Sequence, residues 1–506
     1  MRIIACGFIN DISVEVIYRA IREFDVEFCE YYYDVPNRIP DLCRAVGHHY
    51  LPVQLSADYG VDWNTITPLD EALVERMACC ETVVLRMMDR IDLWAPLSYS
   101  ERKRLYLKHL RYWNHSIIRH RFDLCLFSGV PHGNFDYVLY ELCRLHKVHI
   151  LMFTCPSLIL DTLFITDDFE EPSIELRNRY AELRRLRASG TLGTFALSES
   201  FQRLLETQSS RQKDPIPFYM QPQALADVLQ SHPSPARSVI RKLGRALTNP
   251  AAALPRIGSL TTYAKQAVVR GVERVHERDA AQKLSSFYKM NASNPNLDAT
   301  FIYLPLQLQP ECTTSPMGGG YVDQLLMVQL LASTIPAGAY LYLKEHPVQA
   351  GYGLSGRDIE FYRELLQIPP VRLVPTEQST FRLIERCVAV AAVTGTAGWE
   401  GLFWGKPYLM FGHHVYQYAP GVLTIRTRED CAQAIRAVFE QGYAPDLEDL
   451  RLFLKAVEDV AIIANTVASR QAASPLTPDQ NVENLTRALL TRIRSLDSPR
   501  QKSKSR

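Results

Sequence analysis

Residues 387–401 read CVAVAAVTGTAGWEG, and this stretch decides the fold class. Residues 387–393 are apolar without alternation, as expected of a strand covered on both faces. The small residues that follow make a tight turn, and a helix begins around Trp399 and Glu400. Strand, small-residue turn and helix form the unit of a parallel α/β sheet.

The same grammar recurs on either side. Residues 301–306 (FIYLPL), 339–343 (AYLYL, running into KEHP), 371–374 and 408–411 (YLMF) read as buried strands. Ser379 is placed to cap a helix that runs to Arg386. In the first half, residues 2–9 read as a strand, Asn10 and Asp11 as a turn, and Ser13 as a helix cap. Ile17, Ala20, Ile21 and Phe24 then share one helical face. Residues 27–33, 123–127 (DLCLF) and 149–153 (HILMF) are further strands. The helix over 135–147 turns Phe135, Val138, Leu139 and Leu142 inward. Residues 172–189 read as a charged, solvated helix.

This organisation predicts an N-terminal α/β domain over 1–229 and a basic helical connector over 230–297. A C-terminal α/β domain follows over 298–475, then a helix and a disordered basic tail over 476–506. The connector is rich in Arg and Lys and carries Pro233, Pro235, Pro250 and Pro255. It is a candidate for peripheral contact with an anionic membrane surface, with a solvated linker as the plainer reading.

The 506 residues allow two or three domains of roughly 100–200 residues each. A hydrophobic share of 47% and a charged share of 22% are ordinary for a globular chain. A net charge of +1 supplies no global attraction to nucleic acid, which is not expected as a partner. No apolar run reaches the ~18–20 residues needed to cross a bilayer. The opening MRIIACGFIND reads as strand and turn rather than as a signal peptide, so a cytoplasmic location is expected. The eleven cysteines are scattered and form no CxxC pair. They read as buried thiols of a reducing compartment, and neither a metal nor another cofactor is expected.

Ligands of open parallel sheets bind at the carboxyl ends of the strands, which selects the loops that matter. After residues 301–306 come Gln307 and Glu311, with Thr313, Thr314 and Ser315 behind them. Glu311 suits a general base, a nucleophile or a ligand of sugar hydroxyls. After 339–343 come Lys344, Glu345, His346 and Pro347, where an imidazole and an ammonium suit a phosphate ester or diphosphate. After 387–393 come Thr394, Gly395, Thr396, Gly398 and Glu400. There the glycines admit a phosphate to backbone N–H groups, and Glu400 accepts from ribose hydroxyls. Lys406 is a candidate for added positive charge. The spacing does not fit GxGxxG, and the chain has no GxSxG elbow, P-loop or HExxH helix. In the first half, Asn10, Asp11, His132 and Asp136 lie in loops that could face the same cleft, with His132 as a candidate acceptor-side base.

FIYLPLQLQPECTTSPMGGGYVDQ, LYLKEHPVQ and VTGTAGWEGLFWGKPYLMFG, in this order, resemble the bacterial capsular polysaccharide synthesis family, which includes retaining β-Kdo transferases. The resemblance is clear over 298–425 and extends to FDLCLFSGVPHGNFDYVLYEL. It implies a GT-B-like fold, with two Rossmann-type domains facing a cleft. It also implies a glycosyltransferase whose partners are a nucleotide-sugar donor and a saccharide or glycolipid acceptor. His346 would contact the donor phosphate. Gly395, Thr396 and Glu400 would hold the nucleotide, and Glu311 would stand near the reacting sugar. This chain has glutamate where Kdo transferases carry aspartate, so the donor stays open among CMP-, UDP- and GDP-sugars. The alternatives are a nucleotide-sugar epimerase on the same fold and a non-catalytic subunit of a polysaccharide assembly complex.

Overall fold

The computed structural model describes residues 1–34, 38–92, 97–156, 161–210, 282–347, 349, 357–466 and 474–496. Most of the expected basic connector and the basic tail lie outside these residues.

Two sheets organise the chain. The first contains β1 (Arg2–Cys6), β2 (Phe28–Tyr33), β3 (Arg44–His49), β4 (Leu124–Phe127), β5 (His149–Thr154) and β6 (Thr162–Thr166). The second contains β7 (Phe301–Pro305), β8 (Tyr340–Lys344), β9 (Val371–Val374), β10 (Ala389–Ala392), β11 (Tyr408–Met410) and β12 (Val422–Thr424). A late strand, β13 (Ile462–Ile463), returns to the first sheet and pairs antiparallel with β6. The orders are β13-β6-β5-β4-β1-β2-β3 and β12-β11-β10-β7-β8-β9. The second sheet is wholly parallel, as are β5-β4-β1-β2-β3 of the first. The expectation of two Rossmann-type α/β domains is met.

The central strands β1, β4, β7, β8 and β10 are buried on both faces because helices cover both faces, whereas the edge strands β3 and β12 are largely open. Phe135, Val138, Leu139 and Leu142 are fully buried, as the helical spacing required. Ser379 caps the helix Thr380–Arg386 through the Arg382 N–H. The first helix, Asp11–Glu23, starts differently from expectation. Asn10 is its cap, and Ser13 completes a reciprocal capping box.

The domain limits also differ. The helix over residues 282–291 belongs to the second domain, because Leu284 and Tyr288 are buried in its core. The chain then leaves that domain before residue 475. Helix Leu447–Val460 packs on helix Ile174–Ala188 of the first half, and helix Pro478–Leu496 packs on Asp11–Glu23 through Leu485, Leu489 and Ile493. Helix Ile174–Ala188, expected to be solvated, buries Leu176, Tyr180 and Leu183. Its arginines Arg179 and Arg187 pair with Asp459 and Asp449 across that contact. An apolar cluster joins Phe164 and Leu176 to Trp399, Tyr408 and Phe453, so the halves share a core. Among the described residues, no helix is long and apolar enough to cross a membrane.

Candidate functional site

Strand order reverses between β1 and β4 in the first sheet and between β7 and β10 in the second. Such switch points open a crevice at the carboxyl ends of the strands. The loops selected from sequence lie there, and the crevice is tied tightly.

In the second domain, Gln307 bridges the switch point. Its Oε1 accepts the Thr394 N–H at 2.6 Å, and its Nε2 donates to Thr394 Oγ1 at 3.2 Å. Gln324 holds the Gln307 backbone from the other side, at 2.8 and 3.0 Å. The Thr394 hydroxyl donates to the Thr313 carbonyl at 2.9 Å. Gln307 and Thr394, expected to contact the donor, therefore commit their side chains to joining β7 with β10.

A second set of bonds fixes the His346 loop. Arg357 is buried and donates through Nε to Glu345 Oε2 at 2.9 Å, through Nη2 to the Gln307 carbonyl at 3.0 Å and through Nη1 to Gln309 Oε1. Tyr362 donates to the same Glu345 oxygen at 2.6 Å, and Glu345 Oε1 accepts the His346 N–H at 2.6 Å. Removing one partner of such a buried pair would strand the other charge. Burial holds the His346 pKa below the usual histidine range, and Arg357 and Lys344 reinforce this against Glu345. The neutral imidazole is therefore the favoured form of His346 at pH 7. Pro347 follows it and is exposed.

Three further expectations are corrected. The Lys344 ammonium is buried and donates to the Gln378 carbonyl at 2.6 Å and to Thr380 Oγ1 at 2.9 Å. Lys406 precedes β11 and donates to the Cys387 carbonyl at 2.8 Å. Lys406 and Cys387 precede β11 and β10 and so lie at the amino ends of those strands, the edge opposite the crevice, and Lys406 adds no charge to the site. Gly398 serves packing: a Cβ there would stand 2.4 Å from the Tyr408 ring. Gly395 precedes the helix Thr396–Leu402 as its cap, and a Cβ there would meet only ordinary contacts.

Glu400 lies in that helix with its side chain 8% exposed. No described residue gives it a hydrogen bond or an ion pair. Burial alone pushes its pKa up to about 8, which favours the protonated form at neutral pH.

Across the cleft, Asn10 and Asp136 prove to be local braces. Asn10 Oδ1 accepts the Ser13 N–H at 2.9 Å, and its Nδ2 reaches the Thr466 carbonyl at 3.5 Å. The Asp136 carboxylate accepts the N–H groups of His132, Gly133 and Tyr137 at 3.0, 2.7 and 2.8 Å. Asp11 is exposed in the first turn of its helix. Of the four acceptor-side candidates, only His132 approaches Glu311. Glu311 is exposed to solvent at the head of its turn. Desolvation by the protein packed around it raises its pKa, against the Thr313 hydroxyl bond at 3.0 Å and the charges of Arg90 and His132. His132 is exposed, with its Nδ1 2.6 Å from the Val130 carbonyl. Desolvation opposes charge on its ring, but Cys312 and Asp136 outweigh it and Arg90, and its pKa is pushed up to about 9. Arg90, Glu345, Arg357 and Tyr362 are the participants that sequence reasoning missed. Only the KEHP motif, which contains Glu345, carried a signal for any of them.

No curated protein matches the chain in sequence. Among solved structures, the chain is similar to Thermosulfurimonas dismutans KpsC, a beta Kdo 2,7 transferase, with 11% identity, TM-score 0.29 and coverage of 80% of this chain and 95% of that one. It is similar to the UDP-GlcNAc 2-epimerase of Methanocaldococcus jannaschii with 9% identity, TM-score 0.26 and coverage of 90% and 98%. Anabaena HepE, solved with UDP and glucose, shows 10% identity, TM-score 0.23 and coverage of 98% and 100%. Scores at this level carry no argument, and the architecture rests on the two sheets themselves. The family comparison covers the loops of the second domain alone: residues 256–437 match the family of capsule polysaccharide biosynthesis proteins, the family that the sequence motifs resemble.

Proposed function

We propose that the chain is a glycosyltransferase that moves a sugar from a CMP-, UDP- or GDP-sugar to a saccharide or glycolipid acceptor of the cell surface. The observation that carries this reading is Glu400, a largely buried side chain in the helix that follows β10, whose carboxyl has no hydrogen-bond partner among the described residues. Holding such a group in the protein favours a ligand that bonds to it, and ribose hydroxyls have the right chemistry. The match to the capsule family over the same residues supports it.

In this reading the backbone at Gly395 and Thr396 and the neutral His346 imidazole face the donor phosphates. Glu311 supplies chemistry as base, nucleophile or stabiliser of charge developing on the sugar ring. Work in the cytoplasm and membrane contact through residues 230–297 belong to the same proposal. Thermal-shift titration with CMP, UDP and GDP tests it, since a ligand of the native state stabilises by RT ln(1 + [L]/Kd). One nucleotide should raise the midpoint in the wild type and lose most of that effect in Glu400→Gln. No response to any of the three would overturn the reading. The epimerase alternative predicts conversion of a nucleotide sugar incubated without acceptor.

A further inference from the structure

Nothing in the sequence singles out Arg90, which lies in the short helix Asp89–Asp92 of the first domain. Its Nη1 donates to the His132 carbonyl of the same domain, and its Nη2 donates to the Ser315 carbonyl of the second domain at 2.7 Å, across 225 positions of sequence. Ser315 belongs to a compact turn headed by Glu311. The Glu311 carbonyl accepts the N–H groups of Thr314 and Ser315 at 3.1 and 2.8 Å, and the Thr314 carbonyl accepts that of Gly318 at 3.0 Å. Cys312 and Met317, on the same turn, pack against the core of the first domain. On its other side, Thr394 ties the turn to the end of β10.

The charges around this contact come from both domains. Arg90 and His132 face Glu311, and the Thr313 hydroxyl bonds it. Cys312, Asp136, Glu311 and Tyr50 face Arg90, while Cys312, Arg90 and Asp136 face His132. A guanidinium suits this place because its planar fork can hold two carbonyls at once while its charge stays fixed. A lysine ammonium keeps the charge without the fork.

The geometry points to Arg90 as a positioning residue that pins the Glu311 turn of the second domain onto the His132 loop of the first. The carboxylate assigned to chemistry then takes its place in the cleft when the two domains are clasped. The clasp itself is independent of the proposed reaction. Its consequence for turnover rests on the reading of Glu311.

Cys312 reports on the clasp without any substrate. The full chain is treated with iodoacetamide and its peptides are quantified by mass spectrometry. Exposed Cys79 is the internal reference, and buried Cys125 and Cys387 report on folding in the two domains. Loss of a hydrogen bond from a charged donor raises the undocked population about tenfold or more. In Arg90→Gln, labelling of Cys312 relative to Cys79 should rise by that factor while Cys125 and Cys387 stay protected. An unchanged ratio, or wild-type Cys312 labelled as fast as Cys79, overturns the inference. Should Cys125 and Cys387 react in Arg90→Gln, Arg90→Lys decides by the same ratio. In sugar transfer, Arg90→Gln should move the acid limb of the pH profile upward, with Arg90→Lys restoring it and the donor KM little changed. If Glu311→Gln transfers sugar normally while the labelling ratio still responds to Arg90, the role of Glu311 fails and the clasp stands. If Glu311→Gln is inactive and the ratio does not move, the clasp fails alone.

Discussion

Replacing Glu400 by glutamine should stabilise the empty protein and weaken its hold on nucleotide. The folded state keeps the Glu400 proton up to about pH 8, whereas a free glutamate loses it near 4.5. Between those values the folded state binds more protons than the unfolded state, so stability falls as pH rises. Integrated from pH 5 to pH 8, the loss is on the order of 3 kcal/mol. Glutamine does not ionise, so the variant escapes that loss. At pH 5 the two proteins should melt within a few degrees of each other. At pH 8 the variant should melt higher by roughly 6–12 °C, taking about 2–4 °C per kcal/mol for a domain of this size. Differential scanning calorimetry at the two pH values reads this directly. Nucleotide titration should show the opposite sign, with a loss of roughly 1.5–3 kcal/mol for a charged acceptor removed from a ribose. Nucleotide binding to wild type at pH 7 should also release a proton, visible as a dependence of calorimetric heat on buffer. A variant that melts lower at pH 8, or equally at both pH values, would show that Glu400 is satisfied in the folded state, and the argument that it binds a ribose would fall.

Glu311→Gln keeps the shape of the side chain and removes its charge. Transfer should fall about 100-fold or more with nucleotide affinity nearly unchanged, and a normal rate would return Glu311 to the status of a loop residue. Gly398→Ala forces a methyl group against the buried Tyr408 ring. Chemical denaturation should show a loss of about 1–3 kcal/mol, and no loss would mean that the helix and β11 can part. Nucleotide binding should survive EDTA, because backbone N–H groups at Gly395 and Thr396 are proposed to meet the phosphates. Loss on chelation, restored by a divalent ion, would contradict this.

The strands and helices were legible because each is encoded locally: unbroken apolar runs give buried parallel strands, and Phe135 to Leu142 carry a helical stripe. The loops that matter were legible through the rule that ligands bind at strand ends. What those side chains do was less so. Gln307, Lys344, Lys406 and Asp136 have the right chemistry for a ligand, but each meets a protein partner supplied by another element. Lys406 also lies at the wrong edge of its sheet, which a linear motif does not reveal. Gly398 answers to the Tyr408 ring, ten residues on in sequence and fixed only by the packing of the helix on β11. Arg90 and Arg357 were invisible for the same reason: their partners are distant in sequence, and an arginine in a helix or loop has no local signature of a clasp. The limits of the second domain failed because β13 and the helix after it return to the first sheet, a connection that hydrophobic patterning cannot report.

The central claim is acceptor-dependent sugar transfer from a nucleotide donor. The most direct measurement incubates the full chain with CMP-, UDP- or GDP-sugars carrying a radiolabelled sugar, with and without surface polysaccharide or glycolipid from the producing cells. Label should move to the acceptor with release of free nucleotide from one donor, and the transfer should disappear in Glu311→Gln. Conversion of the donor to an epimer without acceptor, or no transfer from any donor by a protein that binds nucleotide, would contradict the account.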